Sequence, residues 1–289
     1  MPELPEVETI RRQLEPQITG ARIADAEVHD DRWTRPESPR EVERLLSGRT
    51  IEAVERRGKY LLLRLEGERT LAMHLRMTGN LLLIDGGEEP PYLRAELGLG
   101  DGRQLVFTDA RRFGHAVVLE DAELDEYFAA RLGVEPLSDS LTAEELCRRA
   151  AGRRAPLKSF LLNQLGVAGI GNIYADEALH RAELHPLSPA GSMKPEDCER
   201  LRVGIVEALE AGLRSGGASI DDYRDSRGEQ GAMQDDFLVH TREGEPCPRC
   251  GADIQRIVVA GRSTYFCPSC QRRLRRRPRR RPVRARAAR

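Results

Sequence analysis

At 289 residues the chain is long enough for two or three domains, each burying its own core. It has no run of the roughly 18 apolar residues a membrane span needs, and its start has neither a basic head nor an apolar signal core, which points to a soluble, cytosolic protein. The net charge of -1 conceals an asymmetry: residues 271–289 hold eleven arginines and no acid, and without them 35 basic residues face 47 acidic ones, a balance of -12. Bulk charge therefore does not announce a nucleic-acid partner, and any basic binding face must be local.

Residues 5–14 place Val7, Ile10 and Leu14 at i, i+3 and i+7, with Pro5 suited to a first turn, so a short amphipathic helix is predicted almost at the chain start. From about 22 to 120 the pattern changes to short β-like runs such as RIADAEVHD and TLAMHLRMTGNLLLID, broken by turns at Gly86-Gly87 and Asp101-Gly102, as in an antiparallel sandwich or barrel flanked by helices. Residues 131–140 are turn-rich and precede Thr142-x-x-Glu145, a candidate capping box, which sets a domain boundary there.

Helical periods dominate from 141 to about 215, interrupted by GVAGIGN at 166–172. A glycine-containing, acidic stretch at 215–235 follows and reads as a mobile loop. The glycines of GVAGIGN lie between helical patterns rather than after a strand of a βαβ unit, so a dinucleotide site is not expected. The expected class is α+β: a catalytic sandwich over 1–130, a linker over 131–140, a helical domain over 141–235, a finger over 236–271 and a disordered arginine-rich tail over 272–289. Such a tail can hold DNA loosely by neutralising phosphates, or can be a solvated extension alone.

Four of the six cysteines form two C-x-x-C pairs, Cys247/Cys250 and Cys267/Cys270, separated by sixteen residues. Each pair presents two thiolates, and four complete the closed tetrahedral site of a structural zinc. Between them IQRIVVAGRSTYFC reads as two strands joined at Ala260-Gly261-Arg262, a hairpin too small to fold without the metal. Arg262 at its tip offers a fork of donors suited to a phosphate. Cys147 and Cys198 remain as structural residues.

The chain begins Met1-Pro2-Glu3-Leu4-Pro5-Glu6, and a small second residue permits removal of the initiator methionine, leaving a secondary amine beside two carboxylates. An α-amino group titrates near 8, against about 10.4 for lysine, so more of it is unprotonated at neutral pH. Such an amine attacking a sugar C1′ yields an iminium, an electron sink that promotes loss of the 3′ phosphate. On local sequence alone the same segment also fits an ordinary capped helix start.

With MPELPEVETIRR, the segments RRGKYLLL (56–63), HLRMTG (74–79), TDARRFG (108–114), GIGNIYADEAL (169–179) and the four-cysteine finger with GRSTYFC make a chain that resembles the formamidopyrimidine-DNA glycosylase family up to Gln271. The resemblance implies a bifunctional glycosylase and abasic-site lyase that removes oxidised purines from double-stranded DNA, with Pro2 as nucleophile, Glu3 as acid/base and Glu6 in support. It makes Lys59 the proton donor for β-elimination and associates Arg262 with δ-elimination. Met77, Arg111 and Phe113 would fill the hole left by an extruded base, as an apolar plug, a donor to the orphaned partner base and a stacking wedge.

It further implies a helix–two-turn–helix at NQLGVAGIGNIYADEAL (163–179) in the 141–235 domain, phosphate ligation by His74 and Asn172, and phosphate charge from Arg153, Arg154 and Lys158. Where the family often carries histidines this chain has Pro91-Tyr92-Leu93-Arg94, so Tyr92 or Arg94 is expected to replace that contact. One zinc, no nucleotide cofactor and a monomer in the cytoplasm or nucleoid complete the expectation. The alternatives are the related endonuclease VIII branch, directed at oxidised pyrimidines, and a zinc-ribbon DNA-binding protein without catalysis.

Overall fold

The computed structural model describes residues 2–87, 89–220 and 222–275. Helix α1 (Leu4–Ile18) buries Leu4, Val7, Ile10, Leu14 and Ile18 along one face, with Pro5 in its first turn where a missing N–H costs nothing. It continues past the predicted residue 14 because Ile18 extends the buried stripe by one further turn.

Strand β1 (Ile23–Val28) is followed by α2 (Pro39–Leu46), one of the helices expected to flank the sandwich, at a position the reading of 22–120 did not specify. Its local signal is the Ser38 hydroxyl accepting from the Glu41 amide, with Pro39 in the first turn. Only Val42 and Leu46 are buried, too short a period to stand out.

Seven strands follow: β2 (Ile51–Arg57), β3 (Tyr60–Leu65), β4 (Arg69–His74), β5 (Gly79–Ile84), β6 (Leu93–Leu99), β7 (Gln104–Asp109) and β8 (His115–Glu120). They pair antiparallel into two four-stranded sheets, ordered β1-β6-β7-β5 and β2-β3-β4-β8. Leu61, Leu63, Leu71 and Met73 from one sheet share a core with Leu97, Leu105 and Phe107 from the other. The run YLLL in β3 does not alternate in polarity because its opposite face is also covered: Tyr60, Leu62 and Ala72 pack on Phe128 of α3 (Leu124–Ala129).

The second half is helical, with α4 (Ala143–Ala150), α5 (Leu157–Leu162), α6 (Asn172–Arg181) and α7 (Pro195–Arg214). The capping box at α4 is half formed. Thr142 Oγ1 accepts from the Glu145 amide at 3.1 Å, but the Glu145 carboxylate turns outward to Arg148 and Arg149. A disulfide joins Cys147 on α4 to Cys198 on α7. The chain closes with the hairpin β9 (Gln255–Val259) and β10 (Arg262–Phe266). Ala260 and Gly261, both at positive φ, form its two-residue turn, so Arg262 is the first strand residue rather than part of the turn.

Two expectations are corrected. The 215–235 segment is fastened rather than free: the Ala218 amide donates to Glu6, the Arg224 amide to Asn80, and Ser226 to Gln13, while Tyr223 is buried. The chain is also packed beyond 272, because Arg272 exchanges backbone hydrogen bonds with Glu183 and His185 and Leu274 enters the helical core. The rest of the expected tail, 276–289, and Met1 lie outside the described residues. Among the described residues no helix is long and apolar enough to cross a membrane.

Helix α1 straddles the two halves. Val7 onward belongs to the sandwich core, whereas Leu4 belongs to the helical core and its amide donates to the Gly169 carbonyl at 3.0 Å. The first residues of the chain are thereby held against the glycine-rich turn before α6.

Candidate active site and nucleic-acid interface

Glu3, 1% exposed, is the N-cap of α1 and points into the start of α6. Its carboxylate accepts the amides of Gly171 at 2.6 Å, Ile173 at 2.9 Å and Tyr174 at 3.4 Å, so the free N–H groups at the positive end of α6 converge on it. Gly171 permits this approach: a Cβ there would collide with the Glu3 side chain, 2.5 Å from Oε1 and 2.8 Å from Cγ. Of the two glycines of GIGN, Gly171 thus serves a carboxylate of the same chain, while Gly169 lies against Leu4.

Glu6, one turn later, accepts from the Glu3 amide at 2.8 Å, the Tyr174 hydroxyl at 2.7 Å and the Ala218 amide at 2.7 Å. Burial, and then the neighbouring Glu3 charge, raise its pKa despite these three donors. Pro2 is buried immediately before the pair. Lys59 sits in the tight turn between β2 and β3, 5% exposed, and burial lowers its pKa although the charges of Glu3 and Glu6 favour the ammonium. Glu3, Met77, Asn172, Ile173, Tyr223 and Arg262 all border one cavity of about 220 Å³.

Two surface loops are organised by a residue the sequence reading did not single out. Asp109 accepts the amides of Arg111 at 3.1 Å, Phe113 at 2.8 Å and Gly114 at 2.7 Å, and a short hydrogen bond from the Thr78 hydroxyl. One carboxylate therefore fixes the loop carrying Met77 to the loop carrying Arg111 and Phe113. Arg112 turns inward to the buried Asp30, leaving Arg111 and Phe113 exposed with the guanidinium carbon 4.9 Å from the ring centroid. Phe113 is 53% exposed, which is unusual for phenylalanine and suits a ring that stacks on a base. The signal available in the sequence was Asp109 itself, an acid two residues before a turn, the position from which it caps loop amides.

His74 ends β4, 8% exposed, with its Nδ1 accepting from the Arg76 amide at 3.0 Å. Its proton then resides on Nε2, and burial, with the charge of Arg76 added, holds its pKa well below the usual value, so it can serve an anion only as a neutral donor. Asn172 opens α6 and its Nδ2 donates to the Ser263 carbonyl at 3.0 Å, docking the hairpin, while its Oδ1 is buried with no partner among the described residues. Tyr92 is 60% exposed at positive φ. Arg94 is engaged with the Asp109 carbonyl and Asp30, leaving Tyr92 as the member of that pair open to a ligand.

Lys158 does not reach the surface, so the expected phosphate contact is corrected. It is fully buried, with Nζ 2.6 Å from Asp176 Oδ1 and 2.7 Å from the Asn172 carbonyl, and Asp176 also bonds His240 Nδ1 at 2.8 Å. Arg153 is exposed but borders a separate cavity with Lys194 and Glu196, sharing no residue with the cavity at Glu3. Lys158→Ala leaves a buried carboxylate short of its cation and is expected to cost roughly 3–5 kcal/mol. The salt dependence of DNA binding should stay unchanged, because no phosphate contact is lost; melting curves and binding over a salt series measure the two effects.

The four finger cysteines bring their Sγ atoms within 4.8 Å of one another, with Cys247–Cys270 at 3.9 Å and Cys250–Cys267 at 3.5 Å. Tetrahedral zinc with bonds of about 2.3 Å requires sulfurs roughly 3.8 Å apart, so the set fits.

Buried carboxylates at the chain start, an exposed Phe113 on a fixed loop and a four-cysteine hairpin that brings Arg262 to the cavity at Glu3 fit the class of a DNA glycosylase. Family models match along the chain: the formamidopyrimidine-DNA glycosylase N-terminal domain over residues 1–116, its H2TH domain over 132–224, and the zinc finger found in FPG and IleRS over 244–273. Formamidopyrimidine-DNA glycosylases of Chloroflexus aurantiacus and Roseiflexus sp. are each 47% identical, over 94% of this chain and 98% and 100% of theirs. The structure superposes on Lactococcus lactis Fpg in complex with abasic-site DNA at TM-score 0.87 and 35% identity, covering 94% of this chain and 100% of that one. The chain belongs to the formamidopyrimidine-DNA glycosylase family, base-excision repair enzymes that remove oxidised purines from DNA. Its four cysteines hold one structural zinc.

Proposed function

We propose that the chain is a bifunctional glycosylase and abasic-site lyase whose nucleophile is the secondary amine of Pro2, freed by removal of Met1. The observation that carries this reading is the Glu3 carboxylate, fixed by three α6 amides directly beside Pro2 and bordering the cavity that Met77 and Arg262 also line. The Pro2 nitrogen attacks C1′ of the damaged nucleoside, the glycosidic bond breaks and the base leaves with its electron pair. Glu3 relays the proton that opening of the sugar ring requires. The resulting iminium acidifies C2′, whose deprotonation expels the 3′ phosphate, and a second elimination expels the 5′ phosphate.

Glu6 supports Glu3 through the Glu3 amide, Lys59 serves the first elimination as proton donor, and Arg262 holds phosphate for the second. Met77, Arg111 and Phe113 occupy the space of the extruded nucleotide, while His74, Asn172 and Tyr92 contact the backbone. The enzyme acts as a monomer in the cytoplasm or nucleoid.

Borohydride reduction of the iminium tests the nucleophile. Incubated with an 8-oxoguanine duplex, protein verified to lack Met1 should yield a covalent adduct that peptide mapping assigns to Pro2; no adduct there overturns the assignment. A thymine-glycol duplex run alongside reports whether pyrimidines are preferred.

Lys59 supplies a pH prediction. Its pKa lies below the usual lysine value, so the protonated donor is lost as pH rises through that lowered value. Cleavage of a preformed abasic site should decline on the alkaline side below the ordinary lysine range, and Lys59→Arg, protonated throughout, should remove that limb even as the rate drops. An identical limb in both proteins, seen in their pH–rate profiles, would exclude Lys59 as its source.

A further inference from the structure

Helix α6 is docked to the finger by buried polar contacts at intervals along its length. Asn172 at its start donates to Ser263, the Glu177 carboxylate accepts the amides of Leu238, Val239 and His240, and Asp176 bonds the His240 ring. At the far end stands His180, 1% exposed, to which none of the chemistry above gives a role. Its Nε2 lies 3.4 Å from Sγ of Cys247, a zinc ligand itself 3% exposed, and its Nδ1 has no partner among the described residues.

We propose that His180 is a positioning residue of the zinc centre, donating its Nε2–H to the metal-bound thiolate of Cys247. The direction of the bond follows from the partner. A zinc-ligating sulfur is a thiolate and offers only lone pairs, so the shared proton must belong to the imidazole. In the Nε2–H tautomer the unpartnered Nδ1 is a buried lone pair. The other tautomer would bury an unpaired Nδ1–H donor and also turn two lone pairs toward each other, so it loses on both counts.

Two consequences follow for the metal. A donated N–H draws charge from the sulfur, and it fixes the direction from which Sγ addresses the ion. Because the donor is anchored on α6, the same helix whose amides hold Glu3, metal coordination and placement of the catalytic carboxylate share one rigid element.

The zinc-loaded full-length protein, labelled with ¹⁵N-histidine, gives a direct test without substitution. The ring nitrogen shifts of His180 should be those of an Nε2–H imidazole, and cadmium-113 replacing zinc should show scalar coupling to that proton through sulfur. A ring carrying its proton on Nδ1 overturns the proposal.

Two variants extend the test. His180→Phe retains an aromatic ring without a donor and should weaken zinc about tenfold in competition with a chromophoric chelator. It should also shift the thiolate-to-metal charge-transfer band of the cobalt-substituted protein, a signature that loss of packing alone would leave in place. His180→Gln, which keeps a donor, should recover most of both readouts. Zinc affinity and cobalt spectra in the phenylalanine variant that match the unsubstituted protein would likewise overturn the assignment. If that variant does not fold, the tautomer measurement decides alone.

Discussion

Glu3→Gln slows excision of 8-oxoguanine by roughly 10²- to 10⁴-fold, the range expected when a positioned acid/base is removed. The glutamine carbonyl can keep one of the α6 amides, but its NH₂ group meets donors where the carboxylate presented acceptors. A part of the effect is therefore structural, amounting to about 1–3 kcal/mol for a buried donor left unmatched, and melting curves separate it from the catalytic loss. Lesion-duplex affinity should change far less than the rate, since Met77, Arg111 and Phe113 lie on loops fixed by Asp109 rather than by Glu3. Single-turnover excision with enzyme in excess measures the chemical step; a rate within a few-fold of the unsubstituted protein would remove Glu3 from the acid/base role.

Zinc extraction is expected to abolish processing of the lesion while leaving much of the protein folded. The buried core of the finger is Val239, Cys247, Ile254 and Cys267, half of it metal ligands, so little remains to hold β9 and β10 once the ion is gone. Structural zinc contributes about 10–16 kcal/mol to such modules, far more than four small buried residues can replace. Loss of the hairpin removes Arg262 from the cleft and the Ser263 carbonyl from Asn172. Losing the Arg262 contact and the bond that positions Asn172, at about 1.4 kcal/mol each, predicts roughly 100-fold weaker binding of lesion DNA, beyond the loss of catalysis. The sandwich core shares none of these residues, so a cooperative melting transition should persist in the metal-free protein. Chelation followed by gel-shift, cleavage and calorimetry measures all three, and Cys250→Ser should reproduce the result. Metal-free protein that cuts at the original rate would show the finger to be dispensable.

Much of this was legible in the sequence because the informative patterns were local. The α1 stripe, the C-x-x-C pairs and the strand runs each encode their environment within a few residues. Glu3, Met77, Asn172 and Arg262 were legible as residue types, but the cavity that brings them together was not. Nothing near Gly171 announces that its amide faces Glu3, 168 positions away. Lys158 misled for a physical reason: beside Arg153 and Arg154 it reads as a basic face, yet its position on α5 points it inward to Asp176, a partner eighteen residues on. Asp109 was passed over because its role is to accept amides from its own loop, which charge patterning does not report. The acidic 215–235 segment read as a free loop since its anchors, Gln13, Asn80 and Glu6, all come from the first third of the chain.

The placement of Leu4 in the helical core bears on how the protein is made. A ribosome delivers the amino terminus first, and the sandwich can assemble around Val7, Ile10 and Leu14 as soon as its strands emerge. The surroundings of Glu3 and Glu6 cannot form then, because Gly171, Tyr174, Ala218 and Arg262 all come from the second half of the chain. A product truncated after the sandwich therefore carries Pro2, Glu3 and the loops of Met77, Arg111 and Phe113, but neither the α6 amides that fix Glu3 nor the hairpin that brings Arg262. The cavity at Glu3 is completed only once the finger that carries Arg262 has been made.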